Sequence, residues 1–156
     1  MEKIWVVLAG LAHFGLVAVG SQVPRVFRLR VVLAPLGDGT RRLIWTWGAF
    51  IVVANVGFGA LSLVYAGEIA AGKGLAGGFA LFIGLYWLAR LGCQYGVFNT
   101  ADWPKEGGAL AKHALGILFL GMALVYFAAF AAGRFQLPPS IACSSASDWS
   151  TSSSRR

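Results

Sequence analysis

The sequence predicts an all-α membrane protein: four transmembrane helices in an antiparallel bundle, with both termini on the non-cytoplasmic side. Three observations predict it. Hydrophobic residues make up 58% of the 156 residues and charged residues only 12%, against about 25% charged in ordinary soluble domains. The apolar residues gather into four stretches of roughly 20 residues or more, the length that crosses a bilayer core. The basic residues gather on one side of those stretches, as the positive-inside rule requires.

Span one covers residues 4–22. Its start, Met1-Glu2-Lys3, has almost no positive charge, and the apolar run is long for a signal peptide, so an uncleaved span is expected. Residues 24–35 follow, bracketed by Pro24 and Pro35, with Arg25, Arg28 and Arg30 set among Val, Phe and Leu. This spacing suits an interfacial amphipathic helix on anionic headgroups, with Pro24 at its first position and Pro35 beyond its end. Gly37-Asp38-Gly39 reads as a turn. Span two covers 43–66, with Trp45 and Trp47 at one interface and Tyr65 at the other. A tight connection, "GEIAAGKG", leads to span three at 75–98. The polar stretch "NTADWPKEGG" leads to span four at 110–132. Residues 1–134 thus form one membrane domain, and the Ser-rich tail at 135–156 is too polar to build a core and reads as disordered.

The first connection carries Arg25, Arg28, Arg30, Arg41 and Arg42, and the third carries Lys105 with Lys112 beside it. The opposite side carries Lys3, Lys73 and Arg134, with Arg155 and Arg156 far down the tail. The first and third connections therefore face the cytoplasm. Topology accounts for the net charge of +7. The basic residues form no stripe of the kind that binds nucleic acid.

Motifs for chemistry are absent. "GKGLAG", Gly72–Gly77, matches the dinucleotide fingerprint by letter but lies between two spans, with no strand before it and no acidic residue about 20 positions on. Its glycines suit a tight turn. The acidic residues Glu2, Asp38, Glu68, Asp102, Glu106 and Asp148 all lie outside the apolar cores. A carboxylate proton relay therefore has no members. Cys93 in a span and Cys143 in the tail make neither a CxxC pair nor a zinc cluster. No catalytic constellation emerges, and the reading leans away from an enzyme.

The polar residues inside the spans are His13, Asn55, Arg90, Gln94 and His113, with Tyr86 beside them. Tyr86, Arg90 and Gln94 recur at intervals of four and share a helix face. An arginine facing lipid costs at least about 2.5–3.5 kcal/mol, so this face is expected to turn inward. His13 and Arg90 lie nine and eight residues from their inner span ends, each roughly 12–14 Å deep. They are placed to meet, with Gln94 and His113 nearer the cytoplasm and Asn55 near mid-membrane. Arg90 has three readings. It snorkels to a lipid phosphate or to Asp102. It bonds carbonyls, Asn55 or Tyr86 and fixes packing. Or it binds an anionic or carbonyl-bearing amphiphile. His13 and His113 together invite haem b ligation, with Arg90 on a propionate, although their depths differ by roughly 7–9 Å. Two imidazoles alone do not fill a transported metal's shell. Gly92 and Gly96 form a GxxxG step, and Gly57, Gly59 and Ala60 give span two a small surface, suited to close packing or to a dimer.

The stretches "HFGLVAVGSQVP", "RRLIWTWGAF" and "GLYWLARLGCQYGVF" resemble small four-span bacterial inner-membrane proteins, a likeness that brings no activity with it. The expectation is an integral protein of the bacterial inner membrane, a non-catalytic accessory or scaffold subunit. Its partners are the bilayer's anionic headgroups and a membrane protein or second copy. The alternatives are a haem- or quinone-binding electron-transfer component and a small transporter of an anionic amphiphile. No resident cofactor is called for by the leading reading.

Overall fold

A computed structural model of the chain describes residues 2–98 and 108–135. Residues 99–107 of the expected connection and 136–156 of the tail expected at 135–156, with Asp102, Lys105 and Cys143, lie outside the described residues. Within them the fold is all helical: α1 (Lys3–Gly20), α2 (Val23–Val26), α3 (Leu29–Val32), α4 (Asp38–Val64), α5 (Ala66–Ala71), α6 (Gly74–Gly96) and α7 (Gly108–Phe135). α1, α4, α6 and α7 are long and apolar enough to cross a membrane. Their outer faces carry bare apolar side chains, such as Val53, Val64, Ile117 and Leu124. That arrangement suits a hydrocarbon surround and is costly in water.

Three local differences from the sequence expectation have physical causes. First, α4 begins five residues before Leu43, so Asp38 and Gly39 belong to its first turn and Gly37 is the N-cap. Asp38 lies at the positive end of the helix dipole and pairs with Arg41. Second, the connection after span two holds a helix, α5, whose Ala66, Ile69 and Ala70 are buried. It ends at Gly72, which takes the left-handed conformation at φ 65 and returns its N–H to Glu68 and Ile69. Third, 24–35 is two single turns, α2 and α3, broken at Arg28, whose φ of 46 and ψ of 42 are left-handed. On one straight helix at about 100° per residue, Leu33 would fall at about 80° from Arg25 and Arg30 at about 140°, putting Leu33 between the two charges. The break lets Leu33 be buried while all three arginines stay exposed.

α1 packs on α4 and α6 on α7. α1 meets α7, and α5 plugs one end of the bundle against α1, α6 and α7. Small residues set the α1–α4 approach. A Cβ on Gly59 would lie 3.0 Å from the Gly10 carbonyl oxygen, and one on Gly10 would lie 3.2 Å from the Ser62 Cβ. Gly57 and Ala60 do not share in it: Gly57 meets nothing within 4 Å, and Ala60 is exposed. Gly92 and Gly96 also meet nothing within 4 Å and are exposed, so the GxxxG step packs none of the chain's described helices. The core runs from Val6 and Ala9 through Ile69, Ile83 and Trp87 to Phe119, Met122 and Tyr126.

Candidate functional site

His13 is fully buried at the point where α1, α4, α6 and α7 converge. Its Nδ1 lies 2.8 Å from the Ala9 carbonyl oxygen one turn back. The Trp87 indole Nε1–H donates to its Nε2 at 3.2 Å. A carbonyl only accepts and an indole N–H only donates. The imidazole therefore carries its single proton on Nδ1, and both ring nitrogens are occupied. Three aromatic rings close around it edge-on, with centroids at 5.4 Å (Trp87), 6.0 Å (Phe58) and 6.0 Å (Tyr126). Tyr126 bonds across the bundle to Ser62, oxygen to oxygen at 2.6 Å. One polar and aromatic centre thus ties together all four long helices.

A second polar group joins the end of α6 to the start of α7. Lys112, only 6% exposed, donates from Nζ to the Phe98 carbonyl oxygen at 2.7 Å, beyond the α6 C-terminus. Gln94 donates from Nε2 to the Lys112 carbonyl oxygen at 3.1 Å, so the clasp is reciprocal. A cation there also complements the negative end of the α6 dipole. The Tyr95 ring lies 5.5 Å from the ammonium, and its hydroxyl is 3.3 Å from His113 Nδ1.

The residues expected to form one interior site are split among these groups and the surface. His13 meets Trp87, not Arg90. Gln94 is buried in the clasp, and His113 is exposed beside Tyr95. Asn55 is buried on α4 and donates to the Ile51 carbonyl oxygen at 2.8 Å, while its Oδ1 has no partner among the described residues. Tyr86 is half-buried, its ring edge-on to Phe58 at 5.3 Å and to Trp87 at 5.2 Å.

Arg90 is exposed, and no described residue bonds to it. The expected inward turn fails because the cover over this flank of α6 ends before Arg90. Trp87 and Gln94, seven residues apart, mark the buried stripe of α6. Arg90 lies about 60° from Trp87 around the helix, on the side of Tyr86. α6 packs on α7 and α5, and on this flank α4 reaches it through the ring of Phe58, which meets Phe79, Phe82 and Tyr86; Arg90 lies one turn beyond Tyr86, where the flank is open.

His113 and His13 do not approach one another. His13 contacts Tyr126, and Tyr126 lies thirteen residues from His113 on α7, about 20 Å along the axis. One iron cannot take both imidazoles in this arrangement. Among the described residues no three His, Cys, Asp or Glu side chains gather to hold a metal ion.

Two clefts lie outside the His13 centre. An apolar groove of about 620 Å³ runs between α4–α5 and α6, lined by Leu61, Tyr65, Phe79 and Phe82 with Glu68 on its lip. A cleft of about 640 Å³ is lined by Ser21, Arg25, Arg28, Arg30, Val31 and Trp45. Of the five arginines expected at the membrane surface, it gathers three. Arg41 pairs with Asp38, and Arg42 is exposed outside the cleft.

Sequence reasoning missed Trp87, Ser62, Tyr126 and the burial of Lys112. Trp87 carried a usable signal. It lies twelve residues into span three, where an indole N–H has no water and must find an acceptor. Ser62 and Tyr126 carried none, because a hydroxyl pair 64 residues apart is not a pattern. No family model, curated protein or solved structure matches the chain.

Proposed function

We propose that the chain is a non-catalytic accessory or scaffold subunit of a bacterial inner membrane, built as a four-span antiparallel bundle that binds lipid or a membrane partner. One observation carries this reading: apart from Asn55 Oδ1, the buried polar side chains among the described residues find their partners within the chain. His13 takes Trp87 and Ala9, Ser62 takes Tyr126, and Gln94 takes Lys112. A ligand or reaction at this centre would have to displace bonds that hold the helices together. The antiparallel arrangement is supported by the order of contacts. Gly10 lies against Ser62 while Gly59 lies against Phe14, and Gln94 meets Lys112 while Gly72 meets Gly133. The positive-inside rule, applied to the arginines of the first connection, favours termini on the outer side.

The haem reading draws less support, because His13 has both nitrogens engaged and stands far from His113. Transport of an anionic amphiphile through the bundle interior draws less, because Arg90 stands on the outer flank. The exposed Gly92–Gly96 step instead leaves a surface for a second copy or another span.

Gentle extraction followed by native mass spectrometry tests the proposal. The expected result is a colourless protein that carries phospholipid or a copurifying membrane protein. A preparation with a Soret band that disappears in His13→Ala would overturn it in favour of an electron carrier.

A further inference from the structure

The structure assigns the arginine cleft a specific role: we infer that it binds a lipid headgroup carrying two or more negative charges, either a phosphate monoester or a pair of phosphates. The inference rests on the membrane-embedded reading above and adds a site and a ligand class to it.

Three arginines, Arg25, Arg28 and Arg30, line one cleft together with Ser21 and Trp45. Among the described residues no acidic side chain lines it. The one ion pair among the described residues, Arg41 with Asp38, lies elsewhere. Arg25 spends a single donor, Nη1, on Gln22 at 3.3 Å. Among the described residues the cleft therefore gathers three positive charges with no counter-charge, and guanidinium groups carry planar N–H forks that suit phosphate oxygens. A phosphodiester with one charge leaves most of this charge unmatched. A headgroup with two or more charges answers it.

The backbone is committed to this arrangement. Arg28 holds a left-handed conformation that a non-glycine residue adopts at a cost. That break lets turns α2 and α3 present Arg25, Arg28 and Arg30 to the same cleft. The surroundings select a lipid over a soluble phosphate. Val26, Val31 and Val32 are 58%, 71% and 60% exposed beside the arginines, and Trp45 is a residue type that favours the headgroup level. Apolar side chains left bare next to a phosphate cradle suit a ligand whose acyl chains continue past its headgroup.

The test uses the full-length protein in neutral detergent, with binding read by native mass spectrometry against cardiolipin, phosphatidic acid, phosphatidylglycerol and phosphatidylcholine. Cardiolipin and phosphatidic acid should bind about tenfold or more tighter than phosphatidylglycerol, and phosphatidylcholine weakest. Arg28→Lys keeps the charge but loses the fork, and should weaken the two-charge lipids by about tenfold. Arg28→Gly relieves the left-handed backbone, so it should fold at least as well while losing the same preference. Replacing Arg41 and Arg42 together by Gln should change binding less than about threefold.

Equal affinity for cardiolipin and phosphatidylglycerol overturns the inference. So does an unchanged Arg28→Lys variant, or an equal loss in the Arg41/Arg42 variant, which would mean diffuse surface charge. Full displacement of bound lipid by micromolar inorganic pyrophosphate would make the ligand a soluble phosphate and overturn the lipid assignment. A carbonate wash of the source membranes separates this failure from that of the membrane reading. Protein retained in the pellet without lipid preference refutes the cleft alone, and protein released into the wash refutes both.

Discussion

His13→Ala should destabilise the bundle by about 3–5 kcal/mol, as measured by reversible unfolding in bicelles. The estimate has two parts. Truncating a fully buried ring leaves a cavity among Trp87, Phe58 and Tyr126, and large-to-small core changes cost about 2–5 kcal/mol. The Trp87 N–H loses its acceptor, and an unsatisfied buried donor costs about 1–3 kcal/mol. The two parts overlap, since some of the cavity relaxes. Arg90→Gln, in the same assay, should shift stability by no more than about 0.5 kcal/mol, the range of surface changes. If Arg90→Gln proves as costly as His13→Ala, the arginine is an interior residue and the placement on the open flank is wrong.

The second large effect belongs to Gly72. Its backbone is left-handed at φ 65, and a Cβ there would overlap the Ala129 carbonyl oxygen and crowd the Gly133 nitrogen. Both neighbours are backbone atoms of α7, so neither can rotate away. Gly72→Ala should cost about 3 kcal/mol or more, the sum of an unfavourable conformation and overpacking against a rigid helix. Gly133→Ala should behave alike, because its Cβ would meet the Gly72 carbonyl. Gly121→Ala provides the contrast. It lies in the same helix with nothing within 4 Å, so it should be neutral or stabilise by up to about 1 kcal/mol through helix propensity. A thermal melt of the three variants decides this. Equal melting temperatures would show that α5 does not dock on α7.

Much of the architecture was legible because hydropathy and length report long apolar helices directly. All four appear where the apolar runs predict them, with ends displaced by a few residues. The displaced ends have local causes that hydropathy does not sense. Asp38 and Arg41 extend α4 into a polar stretch. "GEIAAGKG" reads as a tight connection, yet its first half folds into α5 because Ile69 and Ala70, with Ala66, find a buried face. The break at Arg28 carries no letter that announces it, since glycine or asparagine is the usual mark of a left-handed residue.

The candidate site was legible in part. His13 stands out as a polar residue in a span, and it is the centre of the interior. Trp87 carried a signal of its own, but its pairing with His13 and the closure by Phe58 and Tyr126 were not legible, because these residues come from three other helices. Arg90 shows the limit of periodicity most plainly. Spacing of four places Tyr86, Arg90 and Gln94 on one face, but the face drifts by about 40° at each step. Angle alone does not order their exposure: Tyr86 is half-buried against Phe58, Arg90 one turn on is exposed, and Gln94 is buried against Lys112. Which part of the face is covered depends on where α4 and α7 lie, and that is a property of the whole bundle.

The central claim is that the interior polar residues serve helix packing. A double-mutant cycle between His13→Ala and Trp87→Phe tests it most directly, because the two residues share one hydrogen bond between α1 and α6 and Phe keeps most of the ring's bulk. Unfolding free energies of the wild type, both single variants and the double variant should give a coupling of about 1 kcal/mol or more, within the range for interhelical hydrogen bonds in membranes. A coupling within about 0.3 kcal/mol of zero would mean that the two side chains act independently, and the account of a shared packing centre would be contradicted.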